Sequence, residues 1–275
     1  TSLKLGRGKG YCVSSSRVLV VLPTLGQRLS HLETALASCD KLAQVMEITL
    51  CVVAPAEATE AREMASSHGA LLINDPGTGM ADAVNAALAS RTSEEFYIWL
   101  GDDDRIVAEG TTRLVAALDA HPEASVAYGW CDYVNDDGVV ISRNRAGIMA
   151  TWLLAWGPNL IPHPGTVIRL DAIERAGGFN PSLLYALDLD MFLRLRKFGP
   201  LLALKTVASE FRWHEDSLTV ESRARSSAEA MAVKASHLPS GLRFLAPLWQ
   251  WPVAWASALA AREVERRSVR GRAVR

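Results

Sequence analysis

Residues 17–38 read RVLVVLPTLGQRLSHLETALAS. A short β-branched run, Val18 to Leu22, stops at Pro23, and Leu29, Leu32 and Leu36 then recur near helical spacing, which predicts a strand followed by a helix. The pairing returns with EITLCVVA (47–54) before AEATEAREMASSHG (56–69), ALLIND (70–75) before GMADAVNAALAS (79–90), and EFYIWLG (95–101) before EGTTRLVAALDAH (109–121). Each predicted strand is apolar almost throughout, the pattern of strands covered on both faces. The expected fold class is therefore α/β, with a Rossmann-like, mainly parallel sheet and helices on both faces.

Past His121 the rhythm loosens. ASVAYGWCDYV (124–134), the turn NDDG (135–138) and VVISRN (139–144) predict a hairpin or edge strands. GTVIRL (165–170) predicts a strand, DAIERAG (171–177) a short helix with Asp171 as N-cap and Gly177 or Gly178 closing it, and ALDLDMFLRLRKFG (186–199) a longer helix.

The chain has 275 residues, 49% of them hydrophobic, enough for one large domain or a domain with a small appendage. A net charge of −1 provides no overall basic field for nucleic acid. Cys12, Cys39, Cys51 and Cys131 lie far apart, without zinc-site spacing, and read as reduced thiols of a cytoplasmic protein. No apolar run reaches the length of a membrane span, and residues 1–16 read as a loose leader without a signal peptide's apolar stretch.

YIWLGDDDRI (97–106) runs the fourth predicted strand into Asp102, Asp103 and Asp104. Adjacent carboxylates repel, so such a cluster persists in open solvent or around a cation. The carboxyl end of a strand is where open α/β sheets place ligands. If the backbone stays extended there, Asp102 and Asp104 project to one side and offer hard oxygen ligands suited to Mg²⁺ or Mn²⁺. In residues 186–199 the helical wheel puts Asp188 within the apolar stripe of Leu189, Met191, Phe192, Leu193 and Leu195. Asp190 faces the opposite way, four residues before Arg194, as in an exposed helix ion pair. An inward carboxylate needs a cleft or partners, so Asp188 is the candidate for chemistry. Its place near a helix N-terminus favours the ionised form that a general base requires. The competing structural role is helix capping.

The order and spacing of VLVVLPTLGQRLSHLETALAS (18–38), GMADAVNAALA (79–89), LGDDD (100–104), IPHPGTVIRLDAIERAGGFN (161–180) and YALDLDMFLRL (185–195) resemble those of the family 2 glycosyltransferases of GT-A fold, from about residue 17 to about residue 217. The resemblance implies an inverting enzyme that moves a sugar from a nucleoside-diphosphate donor to an acceptor hydroxyl, with Mn²⁺ or Mg²⁺ as cofactor. It maps the donor diphosphate and cation onto Asp102, Asp103 and Asp104, and the base onto Asp188. It extends less firmly to Thr24, Asp75, Asp82 and Asn85 on the donor side, and to His214 as a further metal or phosphate contact. Implied acceptors are cell-surface glycans or lipid-linked intermediates at the inner face of a membrane. The chain departs from the family pattern at Ala54 and Pro55, where acids usually hold the nucleoside, and at Leu187, where a glutamate usually precedes the base.

The resulting division is a leader (1–16), a GT-A domain (17–216) and a C-terminal helical and basic extension (217–275). That extension carries Trp249, Trp251 and Trp255 ahead of an arginine-rich end, while Pro247 and Pro252 break any spanning helix. It suits either a lipid headgroup region or packing on its own domain or on a second subunit of a homodimer. Two other functions are compatible with the same residues: a non-catalytic nucleotide-sugar-binding module of this fold, and an aspartate-based phosphatase, which prefers its DxD on the first strand.

Overall fold

The computed structural model describes residues 16–212 and 223–238, together with Gly241 and Leu248. Strand and helix alternate as expected through β1 (Val18–Pro23), α1 (Leu29–Ala43), β2 (Ile48–Ala54), α2 (Thr59–Ser67), β3 (Leu71–Asn74), α3 (Met80–Leu88) and β4 (Phe96–Trp99). There follow β5 (Arg105–Ile106), α4 (Ala108–Ala120), β6 (Val126–Val134), β7 (Val140–Asn144), α5 (Ile148–Leu153), β8 (Thr166–Arg169), α6 (Leu170–Ala176), α7 (Leu187–Leu195), β9 (Leu201–Arg212) and α8 (Arg223–His237). A 3₁₀ turn, His163–Gly165, leads into β8.

The strands form one sheet in the order β3-β2-β1-β4-β8-β6-β9-β5, with β7 beside β6. β1 to β4 are mutually parallel; β8 runs against β4 and β6, β9 runs with β6, and β7 and β5 reverse against β6 and β9. The sheet is thus mainly parallel, with β6 and β7 forming the hairpin expected from the NDDG turn.

Side chains of β1 alternate between two cores. Val18, Val20 and Leu22 pack with Leu32 and Leu36 of α1 and Leu114 and Leu118 of α4. Leu19 and Val21 pack with Val84 of α3, Ile173 of α6 and Phe192 of α7. Burying such residues on both faces contributes roughly 1.5–3 kcal/mol each, which is why these strands carry almost no polar positions. Cys39 belongs to the first core and Cys51 to the second. With Cys131 they are free, buried thiols whose pKa values desolvation pushes up to about 12, 11 and 12 respectively.

Helix α4 lies directly on the backbone of β9. A Cβ on Gly110 would stand 1.8 Å from the Val207 carbonyl oxygen, so this helix position admits only glycine without movement. Helix α6 begins at Leu170 with Arg169 as N-cap, so Asp171 sits in its first turn and pairs with Arg91 instead of capping; Gly177 closes it in the left-handed region at φ 85°. Helix α8 shares the second core through Val233. No helix among the described residues is long and apolar enough to cross a membrane. The tryptophan- and arginine-rich end and His214 lie outside the described residues.

Candidate active site

From β1 the chain passes through α1 to β2 on one side, and β3 returns through α3 to β4 on the other. The carboxyl ends of β1 and β4 therefore flank a topological switch point, where a crevice opens in α/β sheets. Thr24 follows β1 and the acidic triplet follows β4, and the two meet there: Thr24 Oγ1 donates to Asp102 Oδ2 at 2.6 Å.

The triplet does not continue the strand. It forms a turn, with the Asp104 N–H donating to the Gly101 carbonyl at 3.2 Å, so its carboxylates fan out instead of alternating. Arg28, just before α1, donates from Nη2 to Asp102 Oδ1 (2.7 Å) and from Nη1 to Asp103 Oδ2 (2.8 Å). Arg212, ending β9, gives its backbone N–H to Asp104 Oδ1 at 3.1 Å and its Nε to the Asp103 carbonyl. Asp104 is 1% exposed, yet its Oδ2 has no hydrogen-bond partner among the described residues. Burial, reinforced by Asp103, pushes its pKa well above the usual range; burial also raises that of Asp102, against the pull of Thr24 and Arg28. A Cβ at Gly101 would lie 2.8 Å from Asp104 Oδ2 and 3.0 Å from Asp103 Oδ1, so the missing side chain leaves open the space that these oxygens face.

An unpartnered, buried carboxylate oxygen beside a second carboxylate suits a hard divalent cation. Among the described residues no group of three or more His, Cys, Asp or Glu side chains forms a closed metal cage. Two carboxylates, one with a buried open oxygen, are the kind of donors that an Mg²⁺ or Mn²⁺ ion takes while completing its shell with water and phosphate.

Asp188 stands in the first turn of α7, whose N-cap is Ala186, so it does not serve as the cap. Its Oδ2 accepts from Asn159 Nδ2 at 3.0 Å and its Oδ1 from the Leu189 N–H at 2.7 Å. The helix-end argument alone predicts a lowered pKa. Instead, desolvation outweighs both hydrogen bonds and raises the Asp188 carboxyl to about 6. Asp190 also departs from expectation. It pairs with Arg194, Nε to Oδ2 at 2.9 Å, but it is buried and receives His237 of α8 on Oδ1 at 2.9 Å. Burial works to raise its pKa, and these two partners hold it below the ordinary value. The helical wheel placed Asp190 in solvent because it contains no information about α8.

One ring packs between β4 and α7. The His163 ring stacks on Trp99 of β4 (centroids 4.9 Å apart, planes within 8°) and meets the edge of Phe192 on α7 at 6.0 Å. Trp99 is three residues before Asp102, and Phe192 is one helical turn beyond Asp188. The strand that leads to the triplet and the helix that carries Asp188 thus pack on opposite sides of one imidazole. Desolvation lowers the His163 pKa to about 3, so the ring stays neutral.

The remaining donor-side candidates have local partners. Asp75 Oδ1 accepts the Gly77 N–H at 2.9 Å, and Asp82 Oδ2 accepts from Thr78 Oγ1 at 2.6 Å. The partly buried Asn85 amide clips the Phe179 backbone, donating to the carbonyl (2.8 Å) and accepting from the N–H (2.9 Å). Arg28, Asn159, His163 and Arg212 were not singled out from the sequence. For His163 the signal was available: prolines at 162 and 164 fix a turn immediately before a predicted strand. Arg28 is the first basic residue after the first strand, within reach of any acid on its neighbour.

No protein-family profile matches the chain, and no curated protein matches it either. Solved structures do. Residues 1–349 of S. aureus TarS in complex with UDP-GlcNAc match with a TM-score of 0.61 at 14% identity, over 82% of this chain and 69% of that chain. The mannosyltransferase PcManGT from Pyrobaculum calidifontis, in complex with GDP-Man and Mn²⁺, matches with a TM-score of 0.57 at 19% identity, over 95% of this chain and 81% of that chain. With its mainly parallel sheet, its acidic turn after β4 and these structural neighbours, the chain has the GT-A glycosyltransferase fold.

Proposed function

We propose that this protein is an inverting glycosyltransferase that transfers a sugar from a nucleoside-diphosphate donor to an acceptor hydroxyl. The reading is supported by the buried acidic turn after β4, with Asp104 at its centre, and by the Asp188 carboxyl at the start of α7, two elements that pack on the same His163 ring through Trp99 and Phe192. Nucleotide sugars occupy two of the matching structures, one of them with Mn²⁺.

In this reading Asp104 Oδ2 is offered to Mn²⁺ or Mg²⁺, with Asp102 beside it and His214 as a further contact. The cation, when bound, supplies charge neutralisation for the leaving diphosphate. Arg28 and Thr24 hold the turn in shape, and Asp75, Asp82 and Asp103 belong to the donor side. Asp188, ionised above about pH 6, accepts the proton of the acceptor hydroxyl as that oxygen attacks the anomeric carbon from the face opposite the diphosphate. A single displacement inverts the centre, and no enzyme nucleophile takes part.

The acceptor is a cell-surface glycan or a lipid-linked intermediate, met at the inner face of a membrane. Supporting the lipid-linked case, Ile148, Met149 and Trp152 expose one apolar face of α5, and Trp156 continues it toward Asn159. The test is a panel of nucleotide sugars in thermal-shift assays with and without Mn²⁺, followed by transfer assays on hits. A donor that raises the melting temperature only with Mn²⁺ supports the reading, since a ligand that binds only the native state stabilises it. Donor binding without turnover on any acceptor would favour the non-catalytic module.

A further inference from the structure

Three polar side chains of helix α8, Glu229, Lys234 and His237, reach segments around Asp188. Glu229 Oε1 accepts the backbone N–H groups of Leu184 (3.0 Å), Tyr185 (2.8 Å) and Ala186 (2.8 Å), the residues that enter α7. Lys234, itself buried, donates from Nζ to the Gly157 carbonyl, two residues before Asn159. His237 reaches Asp190, one turn face away from Asp188 on the same helix. Val233, buried between these contacts, fastens α8 to the core, and Leu238 just past its end is buried as well.

The pattern has a physical reason. Helix α7 starts at Ala186 without a side-chain cap of its own, so its entering N–H groups need an acceptor, and a carboxylate at that end also meets the positive pole of the helix. Residues 154–162 contain little regular structure, so Asn159 is held only as firmly as the backbone around Gly157. Both supports of the Asp188 carboxyl, its helix turn and its amide donor, are therefore pinned from outside by one helix.

We infer that α8 is a positioning brace for Asp188, with Glu229 fixing the entrance of α7 and Lys234 fixing the loop that presents Asn159. This rests on the reading of Asp188 as the general base, but its test does not. In the full-length chain, the Asp188 carboxyl is titrated by ¹³C NMR and assigned by its absence in Asp188→Asn, with thermal melts confirming that each variant folds. The native midpoint should stand near 6, where burial holds the carboxyl. Glu229→Ala should lower it toward the ordinary carboxylate value as water reaches the loosened turn. Glu229→Gln, which keeps one accepting oxygen, should restore most of it. Lys234→Met, which loses the bond to Gly157, should displace it as well.

Kinetically, Glu229→Ala should lower kcat about tenfold or more with the donor KM unchanged, because misplacing a reacting group by an ångström is enough for that loss. An unchanged midpoint in folded Glu229→Ala and Lys234→Met would overturn the brace. Should Glu229→Ala fail to fold, the comparison of native, Glu229→Gln and Lys234→Met decides the matter on the same criterion. Native transfer by Asp188→Asn would overturn the base assignment while leaving the titration result for the brace standing.

Discussion

Asn159 donates its side-chain amide to Asp188 across 3.0 Å and stabilises the charged form of a carboxyl whose surroundings oppose charge. Removing that amide strengthens the opposition. Asn159→Ala should raise the Asp188 pKa above about 6 and move the acid limb of the transfer rate to higher pH, with little change in the rate at its alkaline plateau. Initial rates measured from pH 5 to 9 would check this, and an unmoved acid limb would refute the coupling.

Asp188→Asn should abolish most transfer, with a loss on the order of 10²–10⁴-fold, while donor and Mn²⁺ affinity measured by calorimetry stay near native. The same substitution should stabilise the fold. The native-state pKa is raised from 3.8 to about 6, so the carboxyl's contribution to stability is complete below pH 3.8 and is lost as pH rises through 6. At pH 8 the asparagine variant should be more stable by up to about 3 kcal/mol, a gain of several degrees in melting temperature that shrinks toward zero near pH 4. Melts at both pH values would measure it.

Gly101→Ala should spare the fold and weaken Mn²⁺-dependent donor binding, because the new methyl meets Asp104 Oδ2 at 2.8 Å and Asp103 Oδ1 at 3.0 Å. Asp104→Asn should give the same binding defect by a different route, removing the charge rather than the space. Calorimetric titration of Mn²⁺ with nucleotide reads both; native affinity in Asp104→Asn would exclude it as a ligand.

Gly110→Ala should be the most damaging of these changes to stability. Its Cβ would overlap the Val207 carbonyl oxygen at 1.8 Å, and both atoms belong to packed backbone, so α4 must lift off β9. Overpacking of this kind destabilises by about 1–3 kcal/mol, and rigid backbone on both sides puts this case at or beyond the upper end. Urea titration would show a lower midpoint with an unchanged slope.

The parallel half of the sheet was readable because its strands are buried on both faces: Val18 to Leu22 leave no polar position to mislead. The positions of the acidic triplet and of Asp188 in the fold were also readable, one at a strand end and the other, by helical phase, against the core side of α7. What escaped was decided by neighbours distant in sequence. Asp190 follows the rule for an exposed ion pair and is buried because His237 arrives from α8. Asn85 has the spacing of a cleft residue and serves instead as a clip on Phe179, ninety-four positions away. Asp102 to Asp104 turn instead of extending because Arg28 and Arg212 hold them from two other strand ends. Glu229 carries no local signal at all, since its partners are backbone groups.

The three buried thiols equip the native chain with silent chemical reporters. Cys39 sits in the core beneath α1, Cys51 in the opposite one, and Cys131 on β6. Each is too protonated and too enclosed for an alkylating reagent to modify while the fold is closed. Rates of alkylation at these positions, resolved by mass spectrometry, would distinguish a molecule that breathes on one side of its sheet from one that opens all at once.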